Sequence, residues 1–122
     1  APATPPDASA VAQDLVALPP PLDVAVALGE LATPLAAHRQ ALARGDLAAV
    51  RAVLASDAAA EASAEYARLT PPFEHVEVVG VARIGRQRVV KLALAGAQGR
   101  QVLQERWVPS ADGWRVVVAL VQ

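Results

Sequence analysis

The chain has no cysteine, which excludes disulfides, thiolate catalysis and cysteine-based zinc sites. Aromatic residues are nearly as scarce, with one Phe, one Tyr and two Trp among 122 residues. The core must therefore be built from Leu and Val, with Ala allowing helices to approach closely. An excess of charge is also lacking: the formal net charge of −1 provides no field to gather nucleic acid or an anionic membrane. No apolar run reaches the roughly 20 residues of a transmembrane helix. Lysine is almost absent, since every cationic side chain but Lys91 is Arg. That skew, with the excess of Ala, fits coding from a GC-rich genome rather than a functional signal.

A chain of this length is one domain, large enough to bury a core without covalent staples. Residues 1–22 form a Pro/Ala-rich leader, with Pro19, Pro20 and Pro21 in a row. Proline lacks the amide donor and fixes φ, so the leader is expected to be extended or partly helical. Ala8–Leu18 is its helical candidate, capped by Asp7 or Ser9. A Pro/Ala/Ser/Thr-rich start of this kind often follows a cleaved secretory signal or an anchor. The expected location is therefore exported or periplasmic, with the cytoplasm as the alternative. The folded domain is expected over residues 23–122.

Asp23 is placed to cap a long helical pattern in which Leu28, Leu31, Leu35, His38 and Leu42 recur at spacings of three and four. Pro34 predicts a kink, or a new helix capped by Thr33. Gly45 ends the pattern and Asp46 caps the next helix, with Leu47, Val50, Val53 and Leu54 as its buried stripe. A third helical stretch covers Ala58 to Leu69, with Ala59, Ala62, Tyr66 and Leu69 inward and Glu61, Glu65 and Arg68 outward. Pro71 and Pro72 stop it.

Four strand-like runs follow: Phe73–Ile84, Arg88–Ala95, Gln101–Val108 and Trp114–Val121. Short Gly-containing turns separate them, so an antiparallel meander is the economical topology. Val76, Val78, Gly80, Ala82 and Ile84 share one face of the first strand; Val90, Leu92 and Leu94 share one face of the second. The third is the most polar, with Gln101, Gln104, Glu105 and Arg106. Trp114, Val116, Val118 and Leu120 share one face of the fourth and are expected under the helices. The opposite face, with Val79, Val81, Val117 and Val121, is apolar as well. A half-exposed antiparallel sheet should alternate apolar and polar residues, so this face calls for a second cover. The fold class is α+β, with about three N-terminal helices on a curved four-stranded antiparallel meander.

The Arg44-Gly45-Asp46-Leu47 turn into a helix, Trp107, and the closing hairpin Asp112-Gly113-Trp114-Arg115-Val116-Val117 carry a resemblance. Over residues 28–122 the chain resembles the cystatin-like superfamily, especially nuclear-transport-factor-like (SnoaL-like) domains. The resemblance implies helices packed in the concave side of a curved sheet, a cone that often holds a pocket, and dimers formed through the sheet. One departure stands out: where full members place a hairpin between the second and third helices, Ser56–Leu69 reads as helix. That suggests a reduced, four-stranded form. No catalytic motif of the family maps onto this chain, so none is carried over.

His38 is the sharpest chemical candidate, because it interrupts the apolar stripe between Leu35 and Leu42. A histidine there can act as a general base, or simply bond a backbone carbonyl or water at the helix edge. No acid is evidently placed to orient its ring. Tyr66 can donate to an oxyanion in a pocket, or pack its ring in the core. Asp57 can act as a base or cap a helix. A metal site would need His38, His75 and a carboxylate to meet, and nothing in their spacing brings them together. Neither a metal nor another cofactor is expected. Trp114 reads as packing; Trp107 is open between packing and a contact surface. The arginines near the strands lack the interleaved aromatics of a single-strand nucleic-acid site, and read as solvated strand edges.

Three functions follow from this reading. The first is a non-enzymatic exported binding or assembly module, a homodimer or partner-bound domain joined through the outer face at Val79, Val81, Val117 and Val121. The second is a small SnoaL-like lyase, isomerase or hydrolase using His38 and Tyr66 in a cone pocket. The third is an apolar-ligand-binding protein whose pocket is lined by Leu28, Leu31, Leu35, His38, Tyr66 and Leu92.

Overall fold

A computed structural model describes residues 22–122. The leader, with its candidate helix at Ala8–Leu18, lies outside the described residues. The elements run α1 (Leu22–Leu28), a 3-10 turn (Gly29–Leu31), α2 (Ala32–Arg44), α3 (Leu47–Arg51), α4 (Ala59–Tyr66), then β1 (His75–Ile84), β2 (Gln87–Gly96), β3 (Gly99–Ser110) and β4 (Gly113–Val121). The strands form one antiparallel sheet in the order β1-β2-β3-β4, the expected α+β meander.

The long helical pattern breaks earlier than Pro34. Gly29 takes φ +56°, and the 3-10 turn there separates α1 from α2. Pro34 falls in the first turn of α2, where a missing N–H costs no intrahelical bond. Thr33 lies within that turn, and Leu31 occupies the N-cap position. Asp23 likewise falls inside α1 rather than ahead of it. The second junction is as expected: Gly45 ends α2 at φ +73°, and the Asp46 carboxylate accepts from the Ala49 N–H at 3.2 Å. A side chain at Gly45 would meet the Pro71 ring at 2.8 Å, so close packing as well as φ requires glycine there. Asp57 makes no cap, because α4 starts from Ala58 without a side-chain bond. Leu47 is 38% exposed and lies outside the stripe expected of it.

Two β-bulges decide which side chains face the helices. In β1 the register runs Val78↔Leu92, then Gly80↔Lys91, leaving Val79 as the extra residue. In β4 it runs Trp107↔Val116, then Arg106↔Val118, leaving Val117 extra. Side-chain direction alternates with period two, so one extra residue exchanges the faces beyond it. On the helix side, Val81, Val90, Glu105 and Ala119 therefore form one cross-strand row, and Val78, Leu92, Leu103 and Val121 the next. Two expectations are corrected. Val118 and Leu120 point outward, at 42% and 47% exposure, while Ala119 and Val121 take their places in the core. Val81 also packs on the core, not on the outer face. Much of the apparent second apolar face is thus core sequence shifted by one residue.

The core lies between the helices and this inner face. Leu28, Leu31, Leu35, Val50, Leu92 and Leu103 are each at most 1% exposed. Fully burying such a side chain stabilises the fold by about 1.5–3 kcal/mol. Arg88 fastens α1 to the sheet: its Nε donates to the Ala27 carbonyl at 3.0 Å, and its guanidinium lies 5.6 Å from the Trp114 ring centre. Arg39 on α2 donates through Nε and Nη2 to the Val76 carbonyl of β1.

Candidate functional site

β3 carries Leu103, Glu105 and Trp107 on alternate positions, and all three are fully buried beneath the helices. A carboxylate on this row needs hydrogen-bond donors in place of water, because an unpaired buried charge costs several kcal/mol. Three side chains provide them. His38 on α2 places Nε2 at 2.6 Å from Glu105 Oε2. Tyr66, at the end of α4, donates its hydroxyl to the same oxygen. The Trp107 indole Nε1–H donates to Glu105 Oε1 at 3.1 Å. The His38 ring stands edge-on to Trp107, with centres 5.0 Å apart, and edge-on to Tyr66, with centres 6.1 Å apart.

The electrostatics follow from this packing. Burial pushes the Glu105 carboxyl upward; the charge interaction with His38 and the bonds from His38, Tyr66 and Trp107 outweigh burial and hold it below the usual carboxylate range. Burial, followed by the charge and hydrogen bond of Glu105, raises the Tyr66 phenol well above its ordinary value. Tyr66 is therefore a fixed donor, not a titrating acid. His38 Nδ1 is buried and makes no hydrogen bond among the described residues.

The structure thus brings His38 and Tyr66 together on one carboxylate. The acid that appeared to be missing is Glu105, read from sequence as part of a polar strand. Its signal was the alternation Leu103-Glu105-Trp107, which places it inward between two core residues. Trp107 resolves to packing, with its N–H satisfied. His75 does not join His38, and no group of three metal-ligating side chains occurs among the described residues. Leu28, Leu31, Leu35, Tyr66 and Leu92 belong to one packed core.

Two surface clefts lie elsewhere. One, of about 360 Å³, runs between α4 and β4. The other, of about 560 Å³, is lined by Arg86, Gln87 and Val108 to Ala111 at the hairpin end of the sheet. Neither is lined by His38, Tyr66, Glu105 or the leucines of the core. The outer sheet face presents Val79, Ile84, Val118 and Leu120, each between 42% and 52% exposed. No described helix is long and apolar enough to cross a membrane.

Comparison with known proteins finds no matching family model, no matching curated protein and no matching solved structure.

Proposed function

We propose that this domain is a non-enzymatic binding or assembly module that forms a homodimer through the outer face of its sheet. The carrying observation is the exposed apolar set Val79, Ile84, Val118 and Leu120 on the face opposite the helices. These residues lie on the two outer strands and flank the more polar Lys91, Gln104 and Arg106 of the central strands. The face is narrower than the sequence implied, since Val81 and Val121 have turned inward. The reading also takes the chain as a reduced, four-stranded relative of the cystatin-like, SnoaL-like domains, in which pairing through the sheet is common. Export is part of the proposal, and rests on the Pro/Ala-rich composition of residues 1–22. Sedimentation velocity at micromolar concentration tests the dimer, with Val79→Lys expected to dissociate it. A wild-type chain that stays monomeric removes the proposal.

A second reading is favoured by one observation, the convergence of His38 and Tyr66 on Glu105. In that reading the trio is an acid–base site of a SnoaL-like lyase, isomerase or hydrolase. The side chains of His38 and Glu105 have no solvent-exposed surface, so a substrate would need the helices to part first. Labelling with diethylpyrocarbonate separates the two readings. Rapid modification of His38, at the rate of the partly exposed His75, would support a catalytic site; protection of His38 alone supports a sealed core.

A further inference from the structure

The outer face of the sheet carries cations at its centre. Lys91 on β2 pairs with Gln104 on β3, and Arg106 lies two residues further along β3. Their backbone positions are diagonal neighbours, about 7–8 Å apart. Both side chains are exposed, and neither forms an ion pair among the described residues. Val79, Ile84, Val118 and Leu120 flank them. Glu77 is the only acid at the outward positions of the four strands, and it already interacts with Arg39. A two-fold pairing of bare faces therefore sets cation against cation, which weakens it. The face is complementary to an apolar surface that carries carboxylates.

The chain itself contains such a surface. Asp7 and Asp14 are the only charged residues at positions 1–21. At helical spacing Asp7, Val11, Asp14, Leu15 and Leu18 share one face, because they follow one another at four, three, one and three positions. Such a stripe sets its carboxylates about 10 Å apart, within reach of the flexible Lys91 and Arg106 side chains. A helix over residues 8–18 is about 16 Å long, close to the roughly 14 Å across four strands. The leader joins the described chain at α1, which packs against β1, an outer strand of the sheet. The links from Leu18 to Leu22 span up to about 13 Å, more than the roughly 10 Å between packed layers. We propose that residues 7–18, which lie outside the described residues, fold back as a helix over the outer face of their own chain. Asp7 and Asp14 then meet Lys91 and Arg106, and the apolar stripe rests on Val79, Val118 and Leu120. The proposal rests on the reading of this face as the dimer contact and adds its regulation: the leader competes with the second copy.

The test uses the full chain with Gln13→Cys, opposite the stripe, carrying a nitroxide label; the chain has no other cysteine. Amide signals of Lys91, Gln104, Arg106 and Val118 should broaden, while those of α4, on the other side of the sheet, keep their intensity. Asp7→Lys with Asp14→Lys should remove the broadening and tighten the dimer, read by sedimentation velocity, by about tenfold or more. A cover on about nine copies in ten lowers the apparent affinity of each copy by that factor. Adding Lys91→Glu and Arg106→Glu to those two substitutions should restore the broadening. The inference is overturned by outer-face signals that do not broaden, or by broadening that survives Asp7→Lys with Asp14→Lys. Equal broadening of an unlabelled chain mixed with the nitroxide-bearing one also overturns it, since the occupant is then another copy. A dimer without broadening removes the cover and keeps the dimer reading. Broadening in a chain that stays monomeric with and without the aspartates keeps the cover and removes the dimer.

Discussion

His38 on α2 and Glu105 on β3, 67 positions apart, meet at 2.6 Å between two nitrogen and oxygen atoms that water does not reach. Tyr66 reaches the same carboxylate from α4. One acidic side chain therefore fastens two helices to the centre of the sheet. Glu105→Ala strands three donors in the core and should cost about 3–5 kcal/mol, measured as a fall in the urea midpoint. Glu105→Gln keeps the volume but turns an NH2 group toward donors, and should fall between Glu105→Ala and wild type. An unchanged midpoint in Glu105→Ala would mean that the cluster does not hold the fold.

The same carboxylate sets an acid limit. Its folded pKa lies below the unfolded carboxylate value of about 4.3. The unfolded chain therefore binds the proton more readily, and the stabilisation is present above that value and lost as pH falls through the folded one. Chemical denaturation from pH 7 to pH 2 should show wild-type stability falling on the acid side. Glu105→Gln should lose less over the same range, and parallel curves for the two proteins would assign the slope to other carboxylates.

Tyr66→Phe removes one donor to the carboxylate and leaves the ring in place. A hydrogen bond to a charged partner contributes about 1.5–3 kcal/mol, and a loss of that size is expected in thermal or urea unfolding. Because the Tyr66 phenol is raised well above its ordinary value, ultraviolet titration of the folded protein should show no phenolate near pH 10. A phenolate appearing there without unfolding would place the hydroxyl in water.

Val117 gives a test of the β4 bulge. Deleting it removes the extra residue, which would turn Val118 and Leu120 inward and Ala119 and Val121 outward. The deletion should abolish cooperative unfolding, whereas Val117→Ala should cost only about 1 kcal/mol. Circular dichroism with thermal melting distinguishes the two, and a cooperative deletion variant would show that the faces tolerate exchange.

The α+β order, the capped junction at Gly45-Asp46 and the meander were legible because each rests on local rules: helical spacing, a left-handed cap, short turns. His38 and Tyr66 stood out as polar groups on apolar stripes, and both reached the cluster. Glu105 was hidden by its neighbours, since Gln104 and Arg106 made the strand look solvated. The faces of β1 and β4 could not be read beyond Val78 and Val116. A bulge is a property of the pairing between strands, and nothing in VEVVGVA or RVVVALV marks which valine is extra. The break at Gly29 was missed because Pro34 gave the stronger local signal.

Both outer strands are plugged by the chain itself: β1 at Val76 by the Arg39 guanidinium, β4 at Val116 by residues 53–55 and at Val121 by Glu65 and Arg68. Edge-to-edge growth is favoured by a long unbroken row of donors and acceptors, and these bonds interrupt the row on both sides. The sheet is consequently a poor seed for endless polymerisation. Complexes built on this domain should be finite in number of copies, even where its valines are crowded together at high concentration.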